Sequence, residues 1–157
     1  MVIIQSLKQH FKARAIEWGM SGWAFTWGLM ILFYPEMFVH PATAPLFTGL
    51  LDAFDWLGGY APFTIGMCLV LVALLRGTAL TINGLWRKTP TIRIVTSAIS
   101  AFFIMHLIVE FSQGPPNTGT ITYFWLFIAD CYSAKSASED WLEANRRKPI
   151  KLIPQRT

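Results

Sequence analysis

The chain has 157 residues, of which 54% are hydrophobic and 14% charged, and it carries a net charge of +4. That length fits one domain, and that composition excludes both an ordinary soluble domain and a disordered one. The positive balance does not point to nucleic acid, because the basic residues flank apolar runs and no RNA- or DNA-binding motif is present.

Residues 2–18 read as a basic amphipathic helix, with Ile4, Leu7, Phe11, Ala15 and Trp18 at helical spacing and Lys8 and Lys12 off that stripe. A first span is expected over about 16–34, stopped by Pro35. Ala15/Gly19 and Ala24/Gly28 have the small-xxx-small spacing that lets helices approach closely, so Gly19 and Gly28 are taken as packing positions, with Gly77 in the second span. In the long connection 35–60, residues 45–57 read as one interfacial amphipathic helix. Leu46, Phe47, Leu50, Leu51, Phe54 and Leu57 lie on one side, with Thr48, Asp52 and Asp55 on the other. Gly58 and Gly59 then give a joint.

The second span is expected over 62–83, opened by Pro62 and closed by Gly84, with Trp86, Arg87 and Lys88 at the interface. Arg76 sits inside it, about 21 Å from its outer end by helical rise. A charge at that depth costs roughly 3 kcal/mol or more, so it should face protein or water. Thr89 can cap and Pro90 can open a third span over 90–111, which the turn at 114–116 ends. The fourth span, 120–137, should continue as helix beyond the membrane before a basic tail, 138–157. Cys68 and Cys131 fall at different depths of the second and fourth spans and read as small apolar fillers, not as a disulfide.

Lysine and arginine set the orientation. Lys8, Lys12 and Arg14 precede the first span; Arg87, Lys88 and Arg93 lie between the second and third; six more follow the fourth. None falls in 35–60 or 112–120, so the positive-inside rule puts both termini in the cytoplasm. The expected fold is therefore all-α: a four-helix transmembrane bundle with an N-terminal amphipathic helix and an interfacial helix in the first outer loop.

Two constellations could carry function. Arg76 and Asp130, opposite charges on the second and fourth spans, should pair, either as a structural brace or as a polar or gating path. Glu17 would join them or snorkel to the surface. His106 and Glu110, four apart on the third span, form a polar face that could relay protons. No Gly-rich phosphate loop, nucleophile elbow, His-Glu-x-x-His or paired-cysteine motif occurs, so no catalytic, metal or cofactor residues are expected.

The run Arg76…Ala79-Leu80…Ile82-Asn83-Gly84…Trp86…Thr89-Pro90…Arg93 resembles a motif in small membrane proteins encoded by tailed phages and prophages of proteobacteria. Thr118-Gly119…Tyr123…Asp130…Tyr132-Ser133-Ala134 is similar to their last span. The resemblance covers roughly residues 76–135. It implies a phage or prophage source and a bacterial inner membrane, and it transfers no catalytic residue. The resulting expectation is a non-enzymatic membrane protein, with holin-like permeabilisation of the host membrane as the leading activity. A scaffold subunit using the basic tail, or a small ion or solute conductor, stays open. The partners implied are the lipid bilayer, further copies of the chain as a homo-oligomer, and an unidentified membrane or cytoplasmic protein, but not nucleic acid.

Overall fold

The computed structural model describes residues 14–40, 44, 47–82, 88–113 and 118–146. Among them every regular element is helical. Helix α1 is Ala15–Phe33, and it stops at Tyr34 because Pro35 disfavours a helical residue before it. A 3₁₀ turn, Pro35–Phe38, follows. Helix α2 is Thr48–Asp52, and a second 3₁₀ stretch, Asp55–Tyr60, leads into α3, Ala61–Thr81. Helix α4 is Thr89–Ser112 and α5 is Thr118–Arg146. Pro62 and Pro90 both sit in first turns, where the missing N–H costs nothing. With no proline or glycine between Gly119 and Arg146, α5 runs unbroken for 29 residues, about 44 Å.

The four long helices form a ring. α1 packs chiefly on α3 and α4 chiefly on α5; α3 against α4 and α1 against α5 close the circuit. Across the bundle axis, α1 therefore faces α4 and α3 faces α5. Gly28 of α1 meets Gly66 and Val70 of α3, while Trp18 lies near Gly77, so these two helices run antiparallel. Arg14, just before α1, is 2.7 Å from Asp140 in the last third of α5, which brings the start of α1 and the far part of α5 to the same end of the bundle.

This bundle joins a partly ionic core to an apolar surface. Glu17, Arg76, Arg93 and Asp130 are buried, whereas Phe63, Leu71, Leu75, Val95 and Phe124 are exposed. Two helical runs, Asp55–Thr81 and Thr89–Ser112, are long and apolar enough to cross a membrane, yet only 44% and 39% of their most apolar stretches is buried. The rest of each stretch is half-buried or exposed.

Two expectations are corrected here. The interfacial helix over 45–57 is not continuous: α2 has only five residues, and the 3₁₀ stretch after it holds Gly58 at φ 54, a left-handed conformation that favours glycine. Its apolar side does exist, but it packs onto the bundle. Phe47 and Leu50 are buried, and Phe54 stacks on Phe103 of α4 with ring centroids 6.0 Å apart. Thr89 is the first residue of α4, with Lys88 in the cap position and no side-chain capping bond. The expected amphipathic segment before Arg14, the turn at 114–116 and the tail beyond Arg146 lie outside the described residues.

Candidate functional site

Four ionisable side chains meet on the axis because each is the polar member of its helix's inward face. On α3 that face runs Leu69, Val72, Ala73, Arg76, Ala79 and Leu80; on α5 it runs Tyr123, Asp130, Ser133 and Ala137. Arg76 Nη1 donates to Asp130 Oδ1 at 2.6 Å, and both side chains are fully shielded. The other Asp130 oxygen accepts from Ser100 Oγ of α4. One carboxylate thus ties α3, α4 and α5 together.

A second cluster lies toward the Arg14 end. Arg93 of α4 donates from Nε to Glu17 Oε2 at 2.7 Å and from Nη2 to Glu17 Oε1 at 2.5 Å, a two-point fork across the other diagonal. Its Nη1 donates to Asp140 Oδ2 at 2.6 Å. Asp140 also pairs with Arg14 at 2.7 Å, and Arg14 lies 3.9 Å from Glu17. Two arginines and two carboxylates therefore balance within the chain. Asp140, 31% exposed, is the member that opens to the surroundings.

The sequence reading had counted Arg93 as a loop cation between the second and third spans. The structure places it inside α4 at 0% exposure. The first turns of α4 face the axis, and Glu17 and Asp140 make that burial tolerable by occupying the guanidinium's donors. Glu17 neither joins Arg76 nor snorkels; it is taken by Arg93. A buried arginine four residues into a helix beside a basic loop looks like one more interfacial cation. The signal that could have found it is the pair of acids, Glu17 and Asp140, at the same end of the facing helix α1 and the adjoining helix α5.

The remaining candidates are placed apart from this core. His106 donates from Nδ1 to the Phe102 carbonyl at 2.9 Å, and its ring lies 4.3 Å from that of Phe102. The Glu110 carboxylate lies against Gly49 of α2, where an added Cβ would collide with it. No hydrogen bond joins His106 to Glu110 among the described residues. The glycines divide. A Cβ on Gly28 would come within 2.8 Å of the Gly66 carbonyl oxygen and of Val70, so α1 and α3 cross closely there, with Gly66 an unforeseen partner. A Cβ on Gly19 would meet nothing within 4 Å, because it lies on the exposed side of α1, and Gly19 packs no other helix among the described residues. A Cβ on Gly77 would just reach Trp18, at 4.0 Å, beside a shallow groove between α1 and α3. Cys68 and Cys131 are free thiols. No protein-family model, curated protein or solved structure matches this chain.

Chemically, the arrangement fixes charge in place. Every buried carboxylate faces an arginine, and the hydroxyls of Thr96 and Ser133 donate to carbonyls of their own helices. Nothing in it presents an activated nucleophile or a donor pair aimed at a reacting atom.

Proposed function

We propose that this chain is a non-enzymatic integral membrane protein of phage or prophage origin that permeabilises its host's inner membrane as a holin-like oligomer. In this reading α1, α3, α4 and the first part of α5 are four spans, with both termini in the cytoplasm. The apolar surface around an ion-paired core carries it: ion pairs on the axis and exposed phenylalanines, leucines and valines outside suit a hydrocarbon solvent. The length of α5 fits too, since it exceeds a hydrocarbon core of about 30 Å and carries Glu139, Asp140, Glu143 and Arg146 in the excess. The side holding Arg14, Lys88 and Arg146 is then the cytoplasmic one by the positive-inside rule.

Passage through one copy is disfavoured, because apolar Ile104, Leu107, Leu69 and Ile65 fill the axis beyond the Arg76–Asp130 pair. Permeabilisation would come from assemblies of copies. Induced expression tests this, with membrane potential and inserted protein followed together. The potential should collapse once the protein accumulates. Full insertion with a steady potential sinks the permeabilising role. If deleting residues 147–157 then removes the cellular phenotype, the scaffold role replaces it.

A further inference from the structure

Most buried hydroxyls in the core have a partner: Thr96 and Ser133 donate to backbone carbonyls, and Ser100 donates to Asp130. Two do not. Ser21 Oγ on α1 and Ser97 Oγ on α4 are shielded and bonded to nothing, and so are Nε and Nη2 of Arg76; among the described residues the remaining such atom is Arg14 Nη1, which sits in the other cluster 3.9 Å from Glu17. In a low-dielectric interior such groups are costly, and native structures satisfy nearly all of them.

These groups share a level. Ser21 is four residues beyond Glu17 and Ser97 four beyond Arg93, so each stands one turn, about 5.4 Å, above its end of the Glu17–Arg93 pair and on the same helix face. Both helices run the same way, since their starts are joined by that pair and by the bonds of Asp140 to Arg14 and Arg93. Ser97 is also one turn below Ser100, which bonds Asp130, the partner of Arg76. The two serine hydroxyls and the free Arg76 nitrogens therefore lie in one layer between the two ion-pair clusters, apart from Arg14. Ser21 backs onto the groove between α1 and α3, but its hydroxyl is shielded from that side.

The ligand class follows from charge and donor type. Arg76 offers only N–H donors, so the ligand must accept. Its charge is already balanced by Asp130, and that of Arg93 by Glu17 and Asp140, so an added anion would be unpaired. The two hydroxyls can donate or accept. A small neutral molecule that does both satisfies the whole set, and water is the smallest one.

We propose that Ser21, Arg76 and Ser97 form an internal water-binding site that joins the two ion-pair clusters into one hydrated polar path, opening at Asp140 and ending below the apolar half of the core. The site stands independently of any permeabilising role, because it belongs to the folded single chain.

The test uses purified full-length protein in phospholipid nanodiscs. Selective ¹⁵N labelling of arginine allows water-to-side-chain Overhauser contacts to be read at the Arg76 Nε–H, assigned by its loss in Arg76→Lys. A resolved contact with long-lived water is expected, and it should weaken at least twofold in Ser97→Ala. Thermal unfolding gives a second readout. With bound water, Ser21→Ala and Ser97→Ala should each lower the midpoint by about 2–4 °C, and the double variant by less than the sum, because both lose the same ligand. A dry core predicts the opposite: no water contact at Arg76, and midpoints that rise additively as unsatisfied hydroxyls are removed. That result overturns the site. Alanine at either position is small enough that the variants should fold.

Discussion

The half of the bundle nearer Arg14 and the half nearer α2 are built by different physics. In the first, the axis carries Glu17, Arg93, Arg76 and Asp130, each bonded to a named partner across a diagonal. In the second, the axis is filled by rings and branched chains. Trp27 sits edge-on to Phe47 and Tyr123, Phe38 packs on Phe47 at 4.8 Å, Phe111 packs on Tyr123 at 5.1 Å, and Ile104 and Leu107 fill between. Ionic cohesion is short-ranged and unforgiving, because removing one member strands a charge. Apolar cohesion scales with area and tolerates small changes of shape. The bundle is thus keyed at one end and filled at the other.

The largest break in that contrast should come from Asp130→Ala. It strands Arg76 in the core and should cost about 3–5 kcal/mol. Folded yield in detergent should fall sharply, and Arg76→Leu combined with Asp130→Leu should restore much of it. Equal losses in the single and double variants would mean that the charges contribute nothing as a pair. A middle effect is expected at the α1–α3 crossing. Gly28→Ala pushes a methyl group against the Gly66 carbonyl and Val70 and should cost roughly 1–3 kcal/mol, whereas Gly19→Ala, in open space, should leave thermal stability unchanged. Matching shifts at the two glycines would contradict the crossing. The smallest effect belongs to the filled half. Ile104→Val removes one methylene from a fully buried side chain and should cost only about 0.5–1.5 kcal/mol by chemical or thermal unfolding. A loss as large as that of Asp130→Ala would show that the two halves are not so different.

The same contrast explains what could be read from the sequence. The long helices were legible because prolines at 35, 62 and 90 punctuate apolar runs of spanning length. The juxtaposition of Arg76 and Asp130 was legible because charges deep in apolar runs are few and must find each other. Arg93 was not, since it stands beside Arg87 and Lys88 and its partners Glu17 and Asp140 are 76 and 47 residues away. The glycines show a second limit. Gly19 and Gly28 have the same local pattern, and only packing turns one toward α3 and the other outward. When a helix is apolar on all sides, periodicity cannot say which side meets protein. The 45–57 segment shows a third. Its two-sided pattern was correct as to faces, but the same pattern suits a helix lying on lipid and a broken segment capping a bundle.

The diagonal pairing has a consequence for how the chain is made. Synthesis proceeds from the amino terminus, so α1 and α3 are complete long before α5. Arg93 finds Glu17 already present, but Arg76 has no acid partner until Asp130 emerges, and the Arg93 cluster stays one carboxylate short until Asp140 does. Through about a third of translation, while residues 77–129 are added, the nascent protein therefore holds an orphan cation among its apolar helices. A ribosome that stalls between residues 77 and 129 releases a product that cannot neutralise it. The late arrival of α5 is the step that turns a chain fit for degradation into one that can persist.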